Sequence, residues 1–376
     1  MTRTLLAACT LCLLAMQTAA ALDHVSLRRD GKPYHISGQV LVQAQDGGLL
    51  VLDPARRLWA VTPDELERHQ KDEQPFESLD KEALEEQLLK ELPGFRVHST
   101  RHYVICYNTS SAYAEWCGAL FERLYLAFRN SWQNRGLELT DPEWPLVALV
   151  FDGKSSYSQY AESELRQATS SIIGYYSLRT NRVTTYDLTG ADVRTRRISS
   201  AAQVNRILSR PEAERTVATI IHEATHQLAF NCGMHNRYAD IPLWLSEGIA
   251  IYFETPDLRS KRGWRSIGSV NRVRLTEFRR YLPNRPSDSL RTLLGNDDRF
   301  RDSHTAPRAY AEAWALNYFL ISTRSDDHTA YLKSLSQKKP LLYDDPQERI
   351  EQFKRFFGED LEQLNAEFLR YLRSVR

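Results

Sequence analysis

The apolar positions of this chain change period along its length, and those changes divide it. Near the N-terminus they follow a strand rhythm. Gln39-Val40-Leu41-Val42-Gln43 and Leu49-Leu50-Val51-Leu52 flank Asp46-Gly47-Gly48, whose glycines tolerate the positive φ of a tight hairpin, and Leu58-Trp59-Ala60-Val61 reads as a third strand. A small β-rich unit over residues 22–75 is expected. Residues 64–91 then carry eleven acidic side chains against four basic ones. Around Leu84, Leu88 and Leu89 the spacing turns helical, which predicts a solvated acidic linker helix over 76–93, ended by Pro93-Gly94. An inhibitory or chaperoning pro-segment is the alternative role for this stretch.

From Phe95 onward the pattern mixes the two periods. Val97 to Tyr107 reads as one strand, and Pro145 to Phe151 is a continuous apolar run suited to a buried strand. Ala112 to Trp132 places Trp116, Leu120, Leu124 and Phe128 on one helical stripe, and Ile172 to Tyr186 reads as a hairpin turning near Thr180-Asn181. After Met234 nearly every periodic stretch is helical, including 308–323 and 359–374. The expected class is α+β. A main domain over 94–376 divides into an α+β half (94–233) with a mixed sheet and a helical half (234–376).

Composition narrows the function classes. With 376 residues, 42% of them hydrophobic, the chain is an ordinary globular protein. Its 49 basic and 48 acidic residues nearly cancel, which argues against coating a polyanion, and no nucleic-acid partner is expected. Residues 1–21 read as an export signal: Arg3, the apolar stretch Leu5 to Met16, then Ala19-Ala20-Ala21. No later apolar run is long enough to span a membrane, so an exported protein, periplasmic or secreted, is expected. Removal of that segment leaves Cys106, Cys117 and Cys232. The first two either pair or pack as small buried residues.

The chemistry concentrates at His222-Glu223-Ala224-Thr225-His226. This H-E-x-x-H pattern arises by accident in roughly 1–2% of such chains, so its context matters. Here the context is a marked helix, with Pro211 in its first turn, Glu212 and Glu214 at its positive end, and Gly233 placed to end it. On that helix His222 and His226 present both imidazoles on one face, as two ligands of one Zn²⁺. Glu223 is positioned to act as general base on a metal-bound water. A third ligand is needed. Separated from His226 by twenty residues, Glu247 sits in the apolar stretch Trp244-Leu245-Ser246-Glu247-Gly248-Ile249-Ala250, where an unpaired carboxylate is costly and a metal would resolve the cost. The other possibilities are a surface Glu247 on an amphipathic helix, or His235 as the third ligand. Glu254, seven residues on, either orients a ligand histidine or makes a surface salt bridge.

HEATH followed by WLSEGIAIYFE resembles the gluzincin-type metallopeptidases of the peptidase MA clan, in which a W-L-x-E-G-x-A segment supplies the glutamate ligand. Aminopeptidases of that clan carry a closely similar pair spaced two residues closer. Residues 94–376 more specifically resemble an uncharacterised family of exported bacterial proteins named for an unknown-function domain. The marks are Thr100-Arg101-His102-Tyr103, Gly174-Tyr175-Tyr176, Thr180-Asn181-Arg182 and Tyr310-Ala311-Glu312-Ala313-Trp314-Ala315-Leu316. The resemblance implies a zincin-like core and one zinc per chain, held by His222, His226 and Glu247. It also implies that a sheet edge, here Ile173 to Tyr176, receives extended substrate. Tyr310 is the candidate donor to the oxyanion, its alternative being plain packing. No G-x-M-E-N motif is present, which argues against an aminopeptidase.

The expected function is that of an exported zinc-dependent hydrolase, above all an endopeptidase acting on peptide or protein. The alternative is a non-catalytic envelope-binding module with a structural or vestigial metal site. Between Arg259 and Arg285 there are nine Lys or Arg and one acid, Glu277. This run is either a solvated basic face or a surface for an acidic peptide or envelope partner.

Overall fold

The computed structural model describes residues 21–166, 172–190, 200–255, 258 and 266–376. Residues 1–20 of the expected export segment and residues 259–265 of the basic run lie outside them. The chain divides into two compact units at Ser78/Leu79.

The first unit is a five-stranded antiparallel sheet in the order β4-β3-β2-β1-β5, built from β1 (Ala21–Arg29), β2 (Lys32–Gln43), β3 (Leu49–Leu52), β4 (Leu58–Val61) and β5 (Leu66–Pro75). Ala21, expected to be the last residue of the export segment, opens β1. Val25, Leu27, Ile36, Leu49, Val51 and Val61 form its core. The predicted pairing across Asp46-Gly47-Gly48 is present, with Gln39 opposite Leu52 and Gln43 opposite Leu49. β5 falls where the acid-rich stretch begins and gave no strand signal. It is an edge strand exposed at nearly every residue, so nothing forces apolar alternation, and its charges keep that edge from pairing further.

In the second unit the acidic helix, α1 (Lys81–Glu91), is capped by Asp80, whose side chain accepts from the Ala83 N–H. It is not a solvated linker: Leu84 and Leu88 are buried, and it packs on β6 (Arg96–Ser99) and β7 (Tyr103–Tyr107). These two strands replace the single strand expected over 97–107. The Glu122 carboxylate draws the chain into the turn between them, accepting from the Thr100 hydroxyl (2.6 Å) and the His102 N–H (2.7 Å).

The second sheet runs β6-β7-β8-β10-β9, with β8 (Leu146–Phe151), β9 (Gly174–Tyr176) and β10 (Arg182–Tyr186). β7, β8 and β10 are mutually parallel, while β6 and β9 run antiparallel to their neighbours at the two edges. Every residue of β8 is buried, as its continuous apolar sequence requires. Asn181 takes a left-handed conformation (φ 60°) at the β9–β10 turn, which an asparagine tolerates. Around the sheet lie α2 (Ser111–Gln133), α3 (Lys154–Leu165), α4 (Ala201–Leu208) and α5 (Pro211–Asn231). Cys106, Cys117 and Cys232 are buried free thiols, so the pairing of Cys106 with Cys117 is not formed.

The rest of the unit is helical: α6 (Leu243–Phe253), α7 (Arg272–Tyr281), α8 (Ser289–Gly295), α9 (Asp298–Arg301), α10 (Ala306–Thr323), α11 (Ser325–Leu335), α12 (Pro346–Phe357) and α13 (Leu361–Ser374). One hydrophobic core runs from Tyr103 through α5 and α6 to Leu372. The protein is thus a mixed α+β structure with two sheets and thirteen α-helices among the described residues. None of those helices is long and apolar enough to cross a membrane.

Candidate metal centre

α5 begins with Pro211 at its first position and Glu212 and Glu214 in its first turn, favourable against the helix dipole. Gly233, at φ 82°, lies just beyond its end. Val217, Ile220, Ile221, Ala224 and Leu228 anchor it in the core. His222 and His226 are therefore fixed one turn apart on a rigid element, with ring centroids 4.7 Å apart.

α6 brings the third residue. Its N-terminus is held by Asp297, which accepts from the Leu243 N–H at 3.0 Å. Asp297 is itself paired with Arg349 at 3.1 Å. The helix is apolar almost all round, and Glu247 is its only charged residue. Gly248 explains how closely α6 approaches α10. A Cβ there would lie 2.6 Å from the Ala313 carbonyl oxygen and 2.0 Å from the Asn317 amide nitrogen.

His222, His226 and Glu247 thus form a group able to hold a metal ion. His222 Nε2 lies 3.0 Å from Glu247 Oε2, His226 Nε2 lies 3.1 Å from His222 Nε2, and His226 Nε2 lies 3.5 Å from Glu247 Oε2. An ion bound tetrahedrally at ~2.0–2.1 Å sets its ligand atoms about 3.3–3.4 Å apart, so this triangle has the size of one tetrahedral face. The donor set, two imidazoles and one carboxylate, is one that zinc accepts.

Electrostatics favour a cation at the same place. Burial works against charge on His222, but its hydrogen bonds to Glu247 and Glu254 outweigh it and raise the imidazole well above its ordinary value. Burial likewise raises Glu247, yet the neighbouring His226 and His222 pull its carboxyl far below the usual range. Three carboxylates, those of Glu223, Glu247 and Glu254, surround two imidazoles. The pocket therefore stabilises added positive charge.

The surroundings orient these groups. Glu254 Oε1 lies 2.7 Å from His222 Nδ1, which fixes a proton on Nδ1 and sets Nε2 beside Glu247 as the atom that would take a metal. This resolves the two roles open to Glu254 in favour of orienting the histidine. Asn271, the residue capping α7, donates to Glu254 Oε2 at 3.4 Å. Glu223 accepts from the Tyr176 backbone N–H at 2.8 Å through Oε2, so the edge strand β9 holds it. Burial raises the Glu223 carboxyl, opposed by the two histidines. β9 is itself tied to α5: the Tyr176 hydroxyl donates to Asn181 Oδ1 (2.7 Å), and the Asn181 and Asn231 side chains donate to each other at 2.8 Å.

Tyr310 lies in the first turns of α10, half-buried against Phe300 and under the Arg274 guanidinium, 5.8 Å from its ring centroid. The charge of Glu247 is the strongest influence on its phenol, ahead of burial and Glu223, and raises it. Tyr310 thus lies within electrostatic reach of the three-residue group. His235 does not join that group. It is 1% exposed, neither ring nitrogen has a hydrogen-bond partner, and burial pushes it down to about 3. Its ring packs 5.4 Å from Phe230.

Sequence reasoning placed Tyr176 on the substrate edge but missed its hold on Glu223, and it missed Asn271 as part of the site. Tyr176 acts through its backbone, which no residue type signals, although Gly174-Tyr175-Tyr176 and Thr180-Asn181-Arg182 did mark the segment. Asn271 was readable as a helix cap but not as a partner of Glu254.

Residues 216–342 match the family described as a protein of unknown function, DUF1570. The matched span contains His222, Glu223, His226, Glu247, Glu254 and Tyr310. Comparison with curated proteins gives no match.

Proposed function

We propose that the protein is a zinc-dependent hydrolase on a zincin-like core, a metallo-endopeptidase acting after export. The observation that carries this reading is the triangle of His222 Nε2, His226 Nε2 and Glu247 Oε2, with Glu223 beside it on the same helix. These three residues would hold one zinc, which supplies Lewis acidity that makes a bound water nucleophilic near neutral pH. Glu223 takes the proton. Its Oε2 is engaged by the Tyr176 N–H, which leaves Oε1 to accept a proton from water and hand it to the leaving amine. Tyr310 donates its phenolic hydrogen bond to the oxygen that gains charge as the carbonyl is attacked. Glu254, braced by Asn271, keeps the His222 ring in place throughout. Among the described residues β9 pairs with β10 alone, and its other edge, where the Tyr176 N–H already meets Glu223, lies beside the three-residue group, which supports an extended peptide as substrate.

Metal content decides the first half of this reading. Wild type carries about one zinc per chain, and Glu247→Ala, still folded, carries far less. Hydrolysis of a peptide library decides the second half: Glu223→Gln keeps its zinc and loses cleavage. Full activity in Glu223→Gln, or no zinc in wild type after reconstitution, would overturn the proposal.

A further inference from the structure

The basic helix α7 joins the metal centre to a second feature. Asn271, Arg274, Glu277 and Tyr281 follow one another at three- and four-residue spacing, on one face. At one end of this face Asn271 donates to Glu254. Arg274 then lies over the Tyr310 ring and pairs with Glu277 at 3.0 Å. At the far end Glu277, Arg280, Tyr281, Asn284, Pro307 and Arg308 line a cavity of about 240 Å³. At 1.5 Å per residue, the α7 residues that line the cavity, Glu277 to Tyr281, lie about 5–10 Å along the helix from Arg274.

The exposed charges at that cavity are mostly positive. Arg280 and Arg308 both line it, and neither has a carboxylate partner among the described residues. Glu277 is paired with Arg274 just outside the lining, so Arg280 and Arg308 are the charges left to meet a ligand. Its floor is rigid. Tyr281 is 7% exposed, with its hydroxyl 3.2 Å from Ser289 Oγ and 3.3 Å from Arg299 Nη2. Both of those groups bond the fully buried carboxylate of Glu312 at 2.7 Å. The Arg308 guanidinium lies 5.7 Å from the Tyr281 ring centroid, beside that floor, and a guanidinium can bind a carboxylate through two N–H groups.

We propose that this cavity is a carboxylate subsite, which holds an acidic side chain or the terminal carboxylate of the substrate. Extended peptide advances ~3.3 Å per residue, so a group anchored there lies some residues away from the bond cut. The inference rests on the hydrolase reading. It makes Arg280 and Arg308 determinants of specificity at a distance from the chemistry.

The test uses zinc-loaded protein and decapeptides of Ala and Leu, carrying one Glu or one Gln at each successive position. Each peptide is made with a free and with an amidated C-terminus. The expected result is a preference of about tenfold in kcat/KM, for Glu over Gln at one position or for the free over the amidated terminus. These two arms separate a side-chain carboxylate from a terminal one. The preference falls to about one in the Arg280→Ala/Arg308→Ala double variant, and it weakens in high salt. Cleavage indifferent to peptide charge, or a preference that survives in the double variant, overturns the subsite and leaves the hydrolase standing. If no peptide is cut, fluorescence anisotropy of the same peptides decides. Charge-selective binding lost in the double variant keeps the subsite while the hydrolase fails; charge-indifferent binding removes the subsite as well.

Discussion

His222 Nδ1 and Glu254 Oε1 lie 2.7 Å apart, and this contact decides which nitrogen of His222 faces the metal centre. The proton it fixes on Nδ1 leaves Nε2 as the atom that would take a metal, 3.0 Å from Glu247 and 3.1 Å from the Nε2 of His226. Partners of this kind raise the basicity of a ligand histidine and hold its ring. Their loss costs about 10–100-fold in metal affinity. Glu254→Ala, which removes the acceptor, should therefore bind zinc about 10–100-fold more weakly than wild type, measured by competition with a fluorescent chelator. Equal affinity would mean that packing alone holds the ring.

The close crossing of α6 and α10 makes Gly248 a second point of control. An alanine there would place its Cβ 2.6 Å from the Ala313 carbonyl oxygen, a backbone atom with nowhere to move. Overpacking of this kind costs about 1–3 kcal/mol. α6 must shift to relieve it, and Glu247 shifts with it. Gly248→Ala should lower both the thermal midpoint and the zinc content. A Gly248→Ala variant as stable and as rich in zinc as wild type would mean that the Ala313 carbonyl and the Asn317 amide both yield to the methyl group.

Most of what positions the site was legible in the sequence, because it lies in long, strongly periodic segments. α5 carries Pro at one end, Gly just past the other and an apolar face between them, and Glu247 declared itself as the one charge in a buried helix. What escaped was structure held by contacts between distant segments. The strand expected over 97–107 is broken by Glu122, more than twenty residues from Thr100. The acid-rich stretch hides an edge strand whose single paired neighbour is β1, and solvent on both faces erases the two-residue period. The backbone donor from Tyr176 to Glu223 depends on which amide of β9 faces α5. Only the register against β10 fixes that.

Tyr310 separates binding from chemistry. Its phenol feels the charge of Glu247 most strongly but is no part of the three-residue group. Removing one donor to a developing oxyanion costs about 10²–10³-fold in kcat. Tyr310→Phe keeps the ring beside Phe300 and Arg274 and removes only the hydroxyl, so it should lose about 10²-fold in kcat with zinc content unchanged. A variant as fast as wild type would leave Tyr310 a packing residue.

The protein's acid sensitivity should trace in part to a histidine remote from the metal centre. His328 is 1% exposed and stacks on Trp132, with ring centroids 5.8 Å apart. The Asn317 amide nitrogen donates to the Trp244 and Ala313 carbonyls, so its oxygen faces His328 Nε2 as an acceptor at 3.2 Å. The proton of the neutral ring is thereby assigned to Nε2, and Nδ1 has no partner to stabilise a second one. Burial, reinforced by the charge of Arg135, pushes His328 down to about 3. In the unfolded chain it titrates near ~6.5, so between these values the unfolded state binds one more proton than the folded state. Stability is unaffected above that window and falls as pH drops through it, by up to about 1.4 kcal/mol per pH unit for this one group. His235, also pushed down to about 3 by burial, adds a second proton of the same sign. Urea midpoints at pH 7.5, 6 and 5 measure the slope. His328→Gln keeps a donor toward Asn317 and cannot ionise, so its stability should fall less steeply by about one proton across the window. Parallel slopes in wild type and variant would mean that the folded protein takes up a proton at His328 as readily as the unfolded chain does.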